Sequence, residues 1–399
     1  MRVVYRLFPK IINAKRAPTV SLLTRLYTQR AATYVCRPVT GQKKTRVIVG
    51  LSGGVDSSAA AALLLEQGYD VVGITLKLWP QDCVSRAEDK CCGPQAVADA
   101  RAVCHRLGVP FYLVDEASEF QKRVINYFAE EYKAGRTPNP CVMCNQHLKF
   151  GTLLQRARQL GGEYVATGHY ARLERRGDGR VLLKRGRDPR KDQSYFLFSL
   201  RQDQLARSLF PLGELSKDDT REVARQAELK TAEKEESMEI CFVPDKDYGA
   251  FLQKAKLVGS HRGEIVDLQG RVLGHHGGIE FFTIGQRKGL GISSPMPLYV
   301  IELDAANNRV IAGDQSALQR EEFIVERCNW LAFDTPPESI EVTGKIRYQH
   351  PGTPATVTPL RDGCAKVKLH TPQRAITPGQ ACVFYQDELV VGGGWIGRG

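Results

Sequence analysis

Gly50-Leu51-Ser52-Gly53-Gly54-Val55-Asp56-Ser57-Ser58 is the stretch that decides the fold. Before it, Arg46-Val47-Ile48-Val49 is short, β-branched and apolar, the pattern of a buried strand. After it, Ala59-Ala60-Ala61-Ala62-Leu63-Leu64-Leu65-Glu66-Gln67 is a strong helix former, closed by Gly68 at the position that favours a left-handed residue. A strand, a glycine-rich turn and a helix in that order make a phosphate cradle. The glycines let the backbone approach oxygen atoms closely, and the unpaired N–H groups of the first helical turn point at the anion. Ser52, Ser57 and Ser58 add hydroxyl donors. No Gly-Lys-Ser/Thr follows, so this is not a Walker A loop, and the spacing is not the Gly-x-Gly-x-x-Gly of dinucleotide folds.

Outward from the loop, strands and helices alternate. Residues 69–79 read as a second buried strand, 94–107 as a helix with apolar residues at helical spacing, and 111–114 as a third strand. An amphipathic helix is expected over 117–134, an extended loop over 136–144 with its two prolines, and a helix over 145–160. Residues 164–170 form another strand entering a small-residue turn, and 171–186 a hairpin around Gly177-Asp178-Gly179. A polar helix is expected over 217–228, followed by the short apolar segment 239–243. This alternation predicts an α/β N-terminal domain with a parallel sheet, whose ligands sit beyond the carboxyl ends of the strands. After about residue 248 short strands and turns take over, so a small central β-rich domain and a C-terminal β-barrel complete the chain. The expected division is 1–45, 46–247, 248–315 and 316–399.

Charge is unevenly placed. Of 399 residues, 56 are Lys or Arg and 44 are Asp or Glu, for a net charge of +12. Residues 1–45 hold ten of the basic residues and no acid; outside them 46 basic residues face 44 acidic ones. A basic, acid-free stretch with hydroxyl residues and no long apolar run has the composition of a mitochondrial transit peptide, which places the mature protein in the matrix. No apolar run reaches the ~20 residues a membrane span needs, so no membrane insertion is expected. Within the folded part, residues 172–191 carry nine basic and three acidic residues, a patch able to track a phosphate backbone. Eleven cysteines is an odd number and the expected compartment is reducing, so some of these thiols should be chemical.

Two of the cysteines, Cys141 and Cys144, form a Cys-x-x-Cys at the start of a helix, where the helix N-terminus favours thiolate. Cys241 follows in an apolar segment. From the residues alone, catalytic thiols, a redox disulfide and structural zinc all remain open, although no second pair at zinc spacing is present.

Ser52-Gly53-Gly54-Val55-Asp56-Ser57 resembles the pyrophosphate loop of enzymes that adenylate a substrate. Six further motifs follow in order: Gly135-Arg136-Thr137-Pro138-Asn139-Pro140 leading to Cys144-Asn145, Ala166-Thr167-Gly168-His169-Tyr170, Lys191-Asp192-Gln193-Ser194-Tyr195-Phe196, Ile240-Cys241-Phe242, Gly285-Gln286-Arg287-Lys288-Gly289-Leu290-Gly291 and Thr377-Pro378-Gly379-Gln380. Together they resemble the tRNA-specific 2-thiouridylases, of the mitochondrial kind, from about residue 46 to the end.

The resemblance implies ATP with Mg2+ bound by Gly50, Leu51, Ser52, Gly53, Gly54, Val55, Asp56, Ser57, Leu76 and Gly168. It implies a persulfide on Cys241, released by Cys144 with a disulfide left between them, and a sulfur donor such as a cysteine desulfurase or a sulfur-relay protein. Asn139, Pro140 and Cys141 would contact the target base; His169, Lys191, Asp192, Gln193, Arg347, Tyr348 and Gln380 would contact the tRNA. The implied product is 2-thiouridine at the wobble position of mitochondrial tRNAs for Lys, Glu and Gln. Many members of the family have Asp where this chain has Cys141, which puts an acid/base role there in doubt. Cys141, Cys144 and Cys241 could instead hold an iron–sulfur cluster, as related thiolation enzymes do. Two other readings compete: an amide-forming synthetase, which needs the loop but neither Cys144 nor Cys241, and a non-catalytic RNA-binding protein that keeps ATP as a structural ligand.

Overall fold

The computed structural model describes residues 5–7, 44–78, 93–236, 240–243, 247–259 and 261–398. Apart from 5–7 and 44–45, the basic N-terminal stretch lies outside the described residues, as do Trp79, Cys83, Cys91 and Cys92. The chain divides into two units, Met1–Phe120 with Cys144–Phe242, and Gln121–Met143 with Val243–Gly399. Gln121–Met143 thus groups with the second unit, although it lies inside the expected 46–247 domain.

In the first unit, the strands are β1 (Tyr5–Leu7), β2 (Arg46–Gly50), β3 (Asp70–Lys77), β4 (Phe111–Asp115) and β5 (Tyr164–Ala166). The hairpin β6 (Ala171–Arg175) and β7 (Val181–Arg185) follows, then β8 (Ser208–Leu209). The sheet runs β1-β4-β3-β2-β5-β8, parallel throughout except for the antiparallel edge strand β1. Val47, Ile48 and Val49 are fully buried. Val47 and Val49 pack with Ala61, Leu64, Ala100 and Cys104, and Ile48 with Leu153, Leu154 and Ala157. Successive side chains of a strand point to opposite faces, so helices cover both sides of β2, as a parallel sheet requires. These helices are α1 (Val55–Glu66) and α2 (Pro94–Leu107) on one face and α5 (Leu153–Gln159) on the other.

Three helical expectations are corrected. The run expected over 117–134 is Ala117–Phe120, a π-helical stretch Gln121–Ile125, and α3 (Asn126–Lys133) closed at Gly135 with φ +64°. The helix expected from 145 begins as a π-helix, Asn145–Thr152, in which the Thr152 hydroxyl donates to the His147 carbonyl five residues back, at 3.3 Å. The loop expected over 136–144 ends in a short helix, α4 (Pro140–Cys144). Asn139 caps it, its Oδ1 accepting from Val142 N at 3.4 Å, and Pro140 takes the first helical position, where its missing N–H costs nothing.

In the second unit, a four-stranded sheet contains β9 (Gly263–Val266), β10 (Val272–His276), β11 (Tyr299–Asp304) and β12 (Arg309–Gly313), in the order β10-β9-β12-β11. Ile265, Phe282, Val300, Leu303 and Val310 form its core. The barrel is β13 (Gln319–Trp330), β14 (Ile340–Lys345), β15 (Thr353–Pro359), β16 (Ala365–Arg374), β17 (Ala381–Gln386) and β18 (Leu389–Ile396). Its antiparallel order β13-β16-β15-β14-β17-β18 closes through β18 pairing back to β13, which removes the exposed edges of an open sheet. Val325, Val342, Val357, Val367, Phe384 and Val391 fill it.

Candidate active site

The glycine loop leaves the carboxyl end of β2 and is stitched by its own serines. Ser52 N donates to Ser57 Oγ at 3.1 Å, and the Ser57 and Ser58 hydroxyls donate to the Gly54 carbonyl at 3.2 and 2.8 Å. Leu51 anchors the turn to β3: its N–H donates to the Ile74 carbonyl at 2.8 Å and its carbonyl accepts from Thr75 Oγ1 at 2.9 Å.

Each loop glycine has its own reason. Gly53 has φ +72°, and a Cβ there would lie 2.3 Å from the Ala96 carbonyl oxygen. Gly168, from the turn after β5, comes so close to the start of α1 that a Cβ would meet Asp56 C and Ser57 N at 2.7 Å. Gly54, in extended backbone, faces open space; its Cβ would reach only Ser52 Oγ, at 3.5 Å. Gly54 caps α1 without a side-chain hydrogen bond, so the first N–H groups of a twelve-residue helix face that opening. This arrangement fits the phosphates of a nucleotide. Leu76 lies near the carboxyl end of β3, half-buried, in the neighbouring strand.

Asp56 is the carboxylate of the loop. Its Oδ1 accepts from Tyr170 OH at 2.7 Å and from Lys217 Nζ at 2.6 Å. Burial and the Asp56 charge push the Tyr170 phenol up, so it stays a donor. Lys217 also pairs with Glu236, which Lys191 Nζ meets at 2.6 Å. Burial would raise the Glu236 carboxyl, but the hydrogen bonds from Lys191 and Lys217 hold it below its usual value. Lys234 Nζ donates to the Gly53 carbonyl at 3.2 Å and pairs with Asp99 at 2.5 Å. Asp99, Lys217, Lys234 and Glu236 were not singled out by the sequence reading. The one local signal was the capping box Ser216-x-x-Asp219, which fixes the start of the helix α6 (Lys217–Gln226) and so the place of Lys217.

The cysteines sort by burial. Cys104 and Cys382 are core thiols, and burial pushes Cys104 up to about 12. Cys141 is exposed, Cys144 and Cys241 are half-buried, and none of the three is in a disulfide. Cys144 and Cys241 belong to the same unit as the loop. Phe242 is buried against Phe120 with ring centroids 5.7 Å apart, which anchors the Cys241 segment. No group of three or more His, Cys, Asp or Glu able to hold a metal ion occurs among the described residues.

Several residues expected to touch tRNA have internal roles. His169 is buried between Phe150 and Phe210, its Nδ1 2.6 Å from Thr167 Oγ1; burial, then Lys149, hold it neutral. Asp192 is buried and accepts from Gly186 N, Ser194 N and Ser194 Oγ, each at 3.0 Å. Gln193 clamps Tyr170, accepting from its N–H at 3.1 Å. Gln380 Nε2 donates to the Thr137 and Pro138 carbonyls at 3.2 and 3.1 Å, fixing the turn before Asn139 and the buried Pro140. Much of the basic run 172–191 is neutralised: Arg172 pairs with Glu214, Arg176 with Asp178, Lys184 with Glu174, Arg185 with Asp192, Arg190 with Asp188 and Lys191 with Glu236. Arg347 is exposed, and Tyr348 lies under the Lys345 ammonium at 5.9 Å, both beyond the end of β14.

A parallel sheet with a glycine-serine loop at the end of its central strand defines a nucleotide-binding HUP domain, and three family profiles match accordingly. The tRNA methyl transferase HUP domain covers residues 45–245, the tRNA methyl transferase PRC-barrel domain 249–314, and the aminomethyltransferase beta-barrel domain 320–396. The tRNA-specific 2-thiouridylase MnmA of Geobacter metallireducens is 50% identical over 363 residues, covering 90% of this chain and 98% of its own. That of Clostridium acetobutylicum is 47% identical over 352 residues, covering 88% and 99%. Among solved structures, the U34-tRNA thiolase NcsA of Methanococcus maripaludis with its [4Fe-4S] cluster is similar over 55% of this chain and 67% of its own, at 19% identity and a TM-score of 0.34. The chain belongs to the tRNA-specific 2-thiouridylase family, whose members are sulfurtransferases.

Proposed function

We propose that this protein is an ATP-dependent sulfurtransferase that replaces the C2 oxygen of the wobble uridine in mitochondrial tRNAs for Lys, Glu and Gln with sulfur. The observation that carries this reading is the grouping of the glycine loop, Cys144 and Cys241 in one unit, with Asp56 fixed by Tyr170 and Lys217. The names of relatives about half identical to this chain support it.

The C2 carbonyl of uracil is a poor electrophile, so its oxygen must first become a leaving group. ATP with Mg2+ supplies the adenylyl group, and pyrophosphate departs from it; Gly53, Gly54 and the first turn of α1 hold the phosphates. The base has to leave its stack to be reached. Cys241, loaded as a persulfide by a cysteine desulfurase or a sulfur-relay protein, attacks C2 through its outer sulfur, and AMP leaves. The Cys144 thiolate then attacks the inner sulfur of Cys241. The electrons of the broken S–S bond pass to the outer sulfur, which stays on C2 as the thiocarbonyl. Cys144 and Cys241 end as a disulfide, which a dithiol reductant reopens.

The test is purified protein, tRNA transcript, ATP and a persulfide donor, with nucleosides read by mass spectrometry. 2-Thiouridine at the wobble position supports the reading. ATP consumption with amide formation and no sulfur transfer supports the amide-forming alternative.

Two further outcomes are expected. Arg347→Ala should weaken tRNA binding and lower the salt slope of log K by about 0.7–0.9, the effect of one lost phosphate contact, with ATP affinity unchanged. Unaltered tRNA affinity counts against the barrel as a binding module. Removing residues 1–45 should leave an active enzyme that no longer enters mitochondria; a truncated protein that still fractionates with the matrix overturns the targeting assignment.

A further inference from the structure

Lys217 has a position that the sulfur-transfer chemistry leaves unassigned. Its side chain is only 9% exposed and lies between two carboxylates far apart in sequence, Asp56 at 2.6 Å and Glu236. With Lys191 on Glu236, the group holds two cations and two carboxylates, so its charges balance. Two residues before Glu236, Lys234 grips the Gly53 carbonyl and Asp99. The segment 234–236 is therefore tied to the glycine loop twice, at a glycine and at the aspartate. Cys241 follows a few residues on, in the same unit.

We propose that Lys217 and Glu236 are positioning residues that couple nucleotide binding at the loop to the placement of the Cys241 segment. The proposal rests on the functional reading above and deepens it. Phosphates seated on the loop hold Gly53 and Asp56 in place, and Lys234 and Lys217 pass that restraint to 234–236. Linkage is reciprocal, so a segment held by the loop strengthens nucleotide binding by the factor by which nucleotide holds the segment.

The experiment follows alkylation of Cys241 by iodoacetamide in the full chain, by mass spectrometry, with and without Mg2+ and a non-hydrolysable ATP analogue. Wild-type protein should be alkylated about fivefold or more slowly with the analogue. In Glu236→Gln, which keeps Lys217 on Asp56, that protection should vanish and analogue affinity should fall by the same factor, although Glu236 is not part of the loop. Lys217→Met should behave likewise, and Lys217→Arg should retain protection. Wild-type protection and affinity in Glu236→Gln, or no nucleotide effect in the wild type, overturns the coupling. A merely structural role would change alkylation equally with and without analogue, and that outcome also overturns it. The readout needs no sulfur transfer, so failure of the functional reading shows separately, as thiolation that survives loss of Cys241.

A different observation carries a second proposal. In the Gly285–Gly291 motif, Gln286 Oε1 accepts from Thr283 N at 3.1 Å and its Nε2 donates to the Lys288 carbonyl at 2.9 Å. Leu290 is buried beneath, and Gly285, Gly289 and Gly291 take φ +87°, +84° and +67°. This braced loop presents Arg287 and Lys288 to solvent, with no hydrogen-bond or ion-pair partner among the described residues. Gly285 abuts Ala375 of the barrel, whose neighbour Arg374 lies over Tyr299 at 5.3 Å. Unpaired cations on a braced backbone suit phosphate oxygens, and the paired basic run 172–191 offers fewer of them.

We infer that Arg287 and Lys288 form a second phosphate-backbone contact for the tRNA, a proposal that also rests on the functional reading. The Arg287→Ala, Lys288→Ala double variant should bind tRNA transcript more weakly, with a salt slope lower by about 1.4–1.8. ATP affinity and melting temperature should be unchanged. Wild-type affinity and slope in the double variant overturn the proposal; wild-type protein that fails to bind tRNA overturns the functional reading and this contact with it.

Discussion

Cys241→Ser is expected to abolish 2-thiouridine formation, by at least about a thousandfold, while tRNA and ATP binding remain at wild-type strength. A serine hydroxyl cannot carry a persulfide, and no neighbouring group replaces a sulfur that must be both nucleophile and leaving group. The side chain is half-buried in a turn anchored by Phe242 on Phe120, so a one-atom change there leaves the packing intact. Cys144→Ser should differ in kind. The persulfide can still attack C2, but the base then stays joined to Cys241 through a disulfide. A tRNA–protein adduct should accumulate that a dithiol releases as 2-thiouridine. Thiolation retained in Cys241→Ser would remove the sulfurtransferase reading in favour of a loop-only enzyme.

How much of this was legible in the sequence differs from element to element. The loop was legible because glycine sterics and an apolar strand leave few alternatives, and its strand, turn and helix are contiguous in residues 46–68. The barrel was legible because strand alternation and turn residues are local signals too. Lys217 was not: its partner Asp56 is 161 residues away, and in sequence it is one more charge on a polar helix. The π-helical stretches at Gln121–Ile125 and Asn145–Thr152 share the apolar spacing of an α-helix at this length, so periodicity could not separate them. His169, Asp192 and Gln380 fall within motifs the sequence singled out for tRNA, yet their side chains serve the fold: a buried neutral imidazole, a turn-closing carboxylate and an amide holding the Thr137 and Pro138 carbonyls. A motif marks a place that matters without saying whether its side chain faces a ligand or the chain itself. The basic run 172–191 shows the same limit, since a count of charges cannot tell a solvated lysine from one already paired.

Gly168→Ala should damage the nucleotide site through packing alone, whereas at Gly53 a methyl group would add backbone strain at φ +72° to its clash with the Ala96 carbonyl. Position 168 needs no left-handed backbone, so strain from φ plays no part. The damage comes from space: a Cβ would stand 2.7 Å from both Asp56 C and Ser57 N, backbone atoms of the first turn of α1 that cannot rotate away as a side chain could. Either α1 moves off the end of β5 or the turn after β5 backs out. The first shifts the N–H groups aimed at the phosphates and breaks the Asp56 bonds to Tyr170 and Lys217; the second moves Tyr170 itself. Overpacking costs about 1–3 kcal/mol where neighbours can adjust, and here the neighbours are main chain. ATP affinity should fall by at least about tenfold, equivalent to about 1.4 kcal/mol, with the melting temperature lowered. Gly54→Ala is the control, because its Cβ would meet only Ser52 Oγ, at an ordinary contact distance of 3.5 Å. It should leave the fold intact and weaken nucleotide binding only by crowding the opening before the helix. Equal melting temperatures for the wild type and Gly168→Ala, measured by calorimetry without nucleotide, would show that the turn after β5 yields more easily than its contacts indicate.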